Sequence, residues 1–301
     1  MALAYLSMTA PAAASPRELS PEQIQALLRK PPQWTRRDVQ RSAAIALLST
    51  VVVFGVLGYF IGQSEGWAEV RRAFLSPSDF VDSFPMVWEG FLLNVRIFLV
   101  AEPIILAFGL LLAVVRGTRS PVLFPARAAA VVYIDIFRGA PALLVILTLG
   151  FGMPALRIEG LPTSAIFWGT MAIILSSSAY QAETFRAGIE SVHASQRAAA
   201  RSLGLSNSQA MRYVVLPQGI RRVIPPTLSG FVGLQKETAL VSVIGPLEAT
   251  RQAQIYAGMT FNFTSYVVAG VLFIAITIPL ARLTDYLLQR TAQRREIGGA
   301  G

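Results

Sequence analysis

Cysteine is absent from the 301 residues, and histidine occurs only once, at His193. The first absence excludes disulfides and cysteine metal sites, and the second excludes a multi-histidine metal centre. Only two lysines are present, Lys30 and Lys236, and neither completes the G-x-x-x-x-G-K-[ST] motif of a phosphate-binding loop. We therefore expect no metal and no cofactor in this chain. If ATP drives its activity, another subunit must bind the ATP.

Charged residues are also scarce. They make up 14% of the chain, against 53% hydrophobic residues and a mean hydropathy of +0.53. A soluble domain of this length normally carries about 25% charged residues. The composition therefore indicates an integral membrane protein.

Six apolar segments are long enough to cross a hydrocarbon core, which needs roughly 20 helical residues each. They predict an all-α, polytopic membrane fold. The segments are 42–62, 86–115, 124–151, 164–187, 223–245 and 266–288.

The arginines are distributed unevenly between the two sides that these spans define. Basic residues are concentrated in the N-terminal region, the 116–127 loop, the 186–222 region and the C-terminal end. The alternate loops, 63–85, 152–163 and 246–265, hold few basic residues and more acidic ones. Because basic loops stay in the cytoplasm, both termini are predicted to be cytoplasmic. The net charge of +9 is thus a topology signal, and we expect no nucleic-acid partner.

A polar stretch at 195–217, SQRAAARSLGLSNSQAMRYVVLP, separates two of the apolar segments. Ala, Arg and Leu favour a helix up to Leu203, and Gly204 suits a helix C-terminus that needs a positive φ. Ser206 and Gln209 have the spacing of a capping box that starts a second helix. Pro217 is expected to stop that helix. The stretch therefore predicts a helix, a sharp corner, a second helix and a stop.

Three interpretations fit this shape. The first is a solvated loop between membrane helices. The second is a DNA-reading helix-turn-helix, which the apolar flanks disfavour. The third is a cytoplasmic docking site of a transporter, because the stretch resembles the coupling loop of ABC-transporter permeases, E-A-A-x3-G-x9-I-x-L-P. The chain has Ala where the family usually has Glu. The corresponding residues are Ala198, Ala199, Ala200, Leu203, Gly204, Val214, Leu216 and Pro217.

Further motifs are similar to those of the polar amino-acid permeases of the histidine/glutamine/arginine type. They are YIDIFRGAP at 133–141, AYQAETFRAG at 179–188, LPQGIR at 216–221 and KETAL at 236–240. Each motif alone is weak, but their order and spacing together are specific.

The resemblance implies a five-helix permease domain at 86–290, containing the coupling loop 195–217. Residues 42–85 would add one N-terminal membrane helix and an external loop, while 1–41 and 291–301 would be cytoplasmic tails. It also implies a transport subunit of the bacterial inner membrane that is not itself an enzyme. The expected partners are an ATP-binding subunit, a second permease chain and an external solute-binding protein.

Ionisable groups at membrane depth are costly, so each one is a functional hypothesis. Glu102 and Lys236 could bind the ammonium and carboxylate groups of an amino acid, or could simply pair with each other. The spacing of Gln235, Thr238 and Ser242 predicts a polar helix face along a water-accessible path. The substrate-path candidates are Glu102, Gln235, Lys236, Glu237, Thr238 and Ser242.

A second group consists of structural or gating candidates. Glu183 and Arg186 lie one turn apart and are expected to pair. Arg138 precedes a predicted helix break and is expected to be a paired or snorkelling arginine. The group comprises Arg138, Gly139, Pro141, Tyr180, Glu183 and Arg186.

Two other functions remain open at this level. An ion-coupled secondary transporter of amino acids or similar polar solutes could use Glu102, Glu183 and Lys236, although no internal repeat is visible. A membrane-anchored DNA-binding regulator could use the 195–217 stretch. An intramembrane enzyme is disfavoured because no Ser/His, paired-Asp or H-E-x-x-H constellation is present.

Overall fold

The computed structural model describes residues 36–118 and 120–298, with side chains described for 40–118 and 120–289. All regular structure in these ranges is helical. The predicted all-α fold is therefore confirmed. Residues 1–35 of the predicted N-terminal tail lie outside the described residues. The last three residues of the predicted C-terminal tail, 299–301, also lie outside them.

The chain divides into two compact units, one ending at Trp67 and the other starting at Ala68. The first unit contains helix α1, Arg36–Gly62. This helix includes the predicted apolar segment 42–62. Its stretch Gln40–Gly62 is long and apolar enough to span a membrane.

The second unit contains the remaining helices, beginning with α2 at the boundary between the units. Short 3-10 helices occupy Pro121–Leu123 and Thr238–Ile244, and a π-helix occupies Met211–Val215. The α-helices are α2 (Trp67–Phe74), α3 (Pro77–Gly117), α4 (Phe124–Gly139), α5 (Ala142–Ala155), α6 (Ala165–Glu190), α7 (Ala194–Ser202), α8 (Asn207–Ala210), α9 (Leu216–Glu237), α10 (Ala249–Thr260) and α11 (Thr264–Gly298).

Among the described residues, three helical stretches are long and apolar enough to cross a membrane, or four if the bent pair α4–α5 is one span. The other two predicted spans coincide with α6 and with α9 and its 3-10 extension. They fall short in apolar content because α6 contains serine, threonine, glutamine and charged residues, and α9 carries basic residues and prolines. The count of six spans therefore stays a prediction.

The break between α4 and α5 lies where the sequence predicts it. The two helices meet at 105° across residues 140–141. Ala140 has an extended ψ of 132°, because the ring of Pro141 disfavours a helical conformation for the preceding residue. The Ala140 N–H still donates to the Ile136 carbonyl, so the end of α4 is capped. The bend turns α5 back along α6.

Helix α6 forms the centre of the second unit, packing against α3, α4, α5 and α9. The largest hydrophobic cluster joins α6 to α3, to α5, to Leu234 of α9 and to the 3-10 helix Thr238–Ile244. A second cluster joins α3 to α10 and α11, and a third joins α3 to α4 and α6. The core therefore fixes the position of α9 relative to α3 and α6.

Gly90 allows α3 to approach the start of α10 closely. A Cβ atom at this position would lie 2.6 Å from the Glu248 carbonyl carbon and 2.7 Å from the Ala249 nitrogen. Because both atoms belong to the backbone, Gly90→Ala should destabilise the protein by about 2 kcal/mol. We expect the thermal unfolding midpoint in detergent to fall by roughly 4–8 °C.

The matched control is Gly152→Ala, in the interior of α5, where an added Cβ has no neighbour within 4 Å. Its unfolding midpoint should stay at or above that of the wild type, because alanine favours helix. Equal midpoints for the two variants would contradict the close approach at Gly90.

Candidate functional site

The 195–217 stretch folds into the predicted helix and corner. Helix α7 ends at Ser202, and Gly204 follows with a φ of +85°. The N–H of Gly204 donates to the Arg201 carbonyl, and the N–H of Leu205 donates to the Ala200 carbonyl. These two bonds form a Schellman motif, which satisfies carbonyls at the helix end and requires a left-handed residue at position 204.

The second helix starts with the predicted capping box. The Ser206 hydroxyl accepts a hydrogen bond from the Gln209 N–H (3.2 Å), and the Ser206 N–H donates to the Gln209 side-chain oxygen (2.8 Å). Two of the unpaired N–H groups at the helix start are thereby satisfied. The corner is therefore defined on both sides by local hydrogen bonds.

The predicted stop at Pro217 is wrong. Helix α8 continues through the π-helix Met211–Val215 into α9, and the Leu216 N–H donates to the Met211 carbonyl. Pro217 lies just after the π-helix, where the hydrogen-bond pattern changes back to that of an α-helix. The helical segment is uninterrupted from Asn207 to Ile244, where it ends before Gly245 (φ +109°).

The coupling-loop candidates divide between an inner and an outer face. Ala200 is buried, and Val214 and Leu216 are half-buried. Leu203 at the corner is 84% exposed. The exposed candidates are Ala198, Ala199, Leu203, Gly204 and Pro217.

A cluster of charges links three helices at one end of α6. The expected pair of Glu183 and Arg186 is present, and Arg186 also pairs with Glu190. Arg116 of α3 donates to Glu183 at 2.9 Å, and Arg138 of α4 lies 3.8 Å from the same carboxylate. Arginines from α3, α4 and α6 therefore share one carboxylate.

Tyr180 connects this cluster to the α4–α5 break. Its hydroxyl donates to the Arg138 carbonyl at 3.1 Å, and the Arg138 guanidinium lies 5.9 Å from the centre of its ring. Gly139 and Pro141 complete the break itself, so all six structural candidates lie at or beside this junction.

A cavity of about 320 Å³, which we call the Glu102 cavity, lies where α3, α5, α6 and α9 meet. Glu102, Glu237, Tyr180 and Ser176 are among the residues that line it. The Ser176 hydroxyl is buried and has no hydrogen-bond partner among the described residues. Two carboxylates beside hydroxyl groups can bind a cationic or ammonium group.

The other substrate-path candidates lie elsewhere. Lys236 is exposed and does not line the Glu102 cavity, and no ion pair joins it to Glu102 within 40–118 and 120–289. Gln235 and Thr238 are buried in the core. The Gln235 side-chain oxygen accepts a hydrogen bond from the Thr277 hydroxyl at 2.8 Å. The predicted polar face of Gln235, Thr238 and Ser242 is therefore mainly internal.

Thr238 belongs to a buried polar network that the sequence reasoning missed. Asn94 of α3 donates to the Thr238 hydroxyl (3.1 Å) and to the Glu248 carboxylate (3.0 Å), and its oxygen accepts from the Ala249 N–H. All three polar side chains are at most 1% exposed. The network holds α3, the 3-10 helix and the start of α10 together.

Glu248 is the N-cap of α10, and its carboxylate accepts the N–H groups of Thr250 and Arg251. Burial raises the pKa of the Glu248 carboxyl above its usual range, and these hydrogen bonds oppose the rise. A signal was available in the sequence, since Asn94 is a strongly polar residue inside an apolar segment. Its partner could not be identified from the sequence, because Glu248 lies 154 residues away.

Comparison with known proteins places this arrangement in a family. Residues 105–293 match the family model described as the binding-protein-dependent transport system inner membrane component. The chain belongs to this family. The predicted resemblance is therefore confirmed, and we refer to the chain as the permease from here on.

Curated relatives of the permease carry consistent names. It is 34% identical to the probable glutamine ABC transporter permease protein GlnM of Bacillus subtilis, over 69% of the permease and 94% of GlnM. It is 33% identical to the probable amino-acid permease protein YxeN of the same species, over 68% and 91%. These relatives are named as permeases of amino-acid transporters.

Two solved structures share the fold. A crystal structure of an amino acid ABC transporter with histidines matches with a TM-score of 0.64 and 32% identity, over 70% of the permease and 96% of that chain. The inward-facing MetNI methionine ABC transporter matches with a TM-score of 0.57 over 69% of the permease and 98% of that chain. Its identity of 15% supports the fold alone.

Proposed function

We propose that the permease is the membrane subunit of an ATP-driven importer of polar amino acids in the bacterial inner membrane. It forms the translocation path with a second permease chain, either a copy of itself or a related one. ATPase subunits dock on the cytoplasmic corner at 195–217, and an external solute-binding protein delivers the amino acid. The expected ATP hydrolysis takes place on the separate ATPase subunits.

One observation carries this proposal. The exposed corner at Leu203 and Gly204 leads directly into the uninterrupted helical segment that starts at Asn207, and α9 within that segment lines the Glu102 cavity. The 31 residues from Asn207 to Glu237 span roughly 45 Å at helical rise. Because the segment is continuous, a displacement of the corner moves the element that forms part of the cavity wall.

The cavity supports an amino acid as substrate. Glu102 and Glu237 provide negative charge for an ammonium group. Gln235 and Thr238 hold α9 in the core, so that Glu237 keeps its position. Lys236 on the exposed face of α9 remains available to a second permease chain.

The orientation rests on the arginine distribution. The corner carries Arg197, Arg201 and Arg212 close to Arg221 and Arg222, while the alternate loops are poor in basic residues. This bias supports six spans with both termini in the cytoplasm and the corner on the ATPase side.

The decisive experiment is affinity purification of the tagged full-length permease in mild detergent, with co-purifying chains identified by mass. We expect an ABC ATPase and either a second permease or a stoichiometry that shows two copies of this one. Uptake in membrane vesicles should depend on ATP and persist after ion gradients are collapsed with ionophores.

A permease that purifies without an ATPase, in detergents that preserve such complexes, would refute the importer proposal. Uptake that is abolished by ionophores while ATP is maintained would instead support an ion-coupled secondary transporter.

A further inference from the structure

A second and larger cavity has a volume of about 630 Å³. It is lined by residues near the end of α5, at the end of the 3-10 helix Thr238–Ile244 and near the start of α10. We call it the Arg251 cavity. Its walls include Phe151, Tyr266, Ser242, Thr250 and Arg251. The volume is within the range of small-molecule sites. The cavity lies at the 246–265 loop, on the side opposite the predicted cytoplasmic corner.

Arg251 is the only charged residue among the described residues that line this cavity. Its terminal guanidinium nitrogen donates to the Gln254 side-chain oxygen at 2.6 Å. Its Nε atom is shielded from solvent and has no hydrogen-bond partner among the described residues. The nearest acid in sequence, Glu248, already accepts N–H groups of Thr250, Arg251 and Asn94. Because Nε is shielded, a ligand in the cavity would meet the terminal nitrogens, which make no hydrogen bond to the described residues other than the one to Gln254 and can bind a carboxylate.

Another part of the lining suits a positive charge. The 3-10 helix that extends α9 ends at Ile244, and its terminal residues line the cavity. The last carbonyl groups of a helix have no intrahelical partners and carry partial negative charge. The aromatic ring of Tyr266 adds a surface that attracts cations. The cavity thus offers a cationic side chain and a carbonyl-rich helix end.

We propose that the Arg251 cavity binds the zwitterionic head group of an amino acid, with Arg251 holding the carboxylate and the end of the 3-10 helix facing the ammonium group. This site is separate from the Glu102 cavity, since no residue lines both. The inference rests on the proposed function and adds to it a first binding step at the outer side of the path.

The absence of cysteine makes a direct test possible, because an introduced thiol is the only one in this chain, and labelling is read on this chain after the subunits are separated. Ser242→Cys places a reporter in the wall, and Met259→Cys, at a residue 74% exposed outside the cavity, serves as the control reporter. Each is labelled in the detergent-purified permease, with its co-purifying subunits, by an anionic and by a cationic methanethiosulfonate reagent. The probes are L-glutamine, L-histidine and L-arginine, each compared with its α-amide.

We expect the ratio of anionic to cationic labelling rates at Ser242→Cys to fall about tenfold when Arg251→Gln is added, because the local positive field is lost. Arg251→Lys should retain most of the ratio. Arg157→Gln removes the same charge from an exposed position on the 152–163 loop and should leave the ratio unchanged. At least one amino acid should slow labelling at Ser242→Cys but not at Met259→Cys, and its α-amide should not.

An unchanged ratio in Arg251→Gln, equal protection by the α-amide, or no protection by any of the three amino acids would overturn the proposal. The proposal would also be overturned if labelling at Ser242→Cys were slowed only by an added solute-binding protein, without free amino acid. Arg251 would then bind an acidic side chain of that protein. These results leave the importer proposal intact if the ATPase still co-purifies, so the two failures are distinguishable.

Discussion

Gly204→Val should release the ATPase from the purified permease and lower ATP-driven uptake at least about tenfold, while the chain remains in the membrane. The φ of Gly204 is +85°, a region that β-branched residues almost never occupy. Forcing valine into it costs about 2 kcal/mol, or a factor of roughly 30 in the equilibrium constant between the native corner and other conformations. An added Cβ has no neighbour within 4 Å, so the strain is confined to the backbone.

The matched variant is Gly204→Asn, because asparagine tolerates positive φ. The Gly204→Asn variant should retain most of the ATPase and most of the uptake. The side chain of asparagine is similar in size to that of valine but is polar. The comparison separates backbone conformation from side-chain bulk. Wild-type uptake and ATPase retention in Gly204→Val, at equal membrane levels, would count against the corner as the docking site.

Glu183→Gln should lower the thermal unfolding midpoint in detergent by roughly 4–8 °C. The Glu183 side chain is only 20% exposed, and it is the shared partner of Arg116, Arg138 and Arg186. The neutral amide would leave the guanidinium groups of α3 and α4 without their counter-charge. Removing one partner from a fully buried ion pair costs 3–5 kcal/mol, and partial exposure reduces this to about 2 kcal/mol.

Glu190→Gln is the control, because the Glu190 side chain is 61% exposed and pairs only with Arg186 in the described part of the chain. An exposed pair of this kind contributes about 0.5 kcal/mol or less, so the midpoint should change by no more than a degree or two. If both variants unfold at the same temperature, Glu183 does not join the three helices.

The features that the sequence predicted correctly all depend on residues close together in the chain. The positive φ at Gly204, the capping box of Ser206 and Gln209, and the break before Pro141 each depend on local backbone chemistry. The all-α fold followed from the length of the apolar segments. Local sequence carries this information because helix ends are determined within a few residues.

The features that it missed depend on packing between distant segments. Arg116 meets Glu183 across 67 residues, and Asn94 meets Glu248 across 154. Lys236 and Gln235 are adjacent in sequence, yet one is exposed and the other is buried. Helix periodicity alone shows which residues share a face, but the neighbouring helices decide which face is inside. The continuation of the helix past Pro217 has a different cause, because the π-helix that precedes Pro217 is a local irregularity that the sequence pattern does not show.

The π-helix Met211–Val215 has a consequence for the tolerance of this region to insertions and deletions. Each residue added to or removed from a helix rotates everything beyond it by about 100° relative to everything before it. A π-helical turn commonly marks one extra residue within an α-helix. Because the wide turn takes up that extra residue, deletion of one residue within Met211–Val215 would restore regular α-helix and leave Glu237 facing its cavity. A deletion in the regular helix between Leu216 and Glu237 would instead turn Glu237 away from the cavity. Within this described segment, the π-helix is thus the place that best tolerates the loss of a residue.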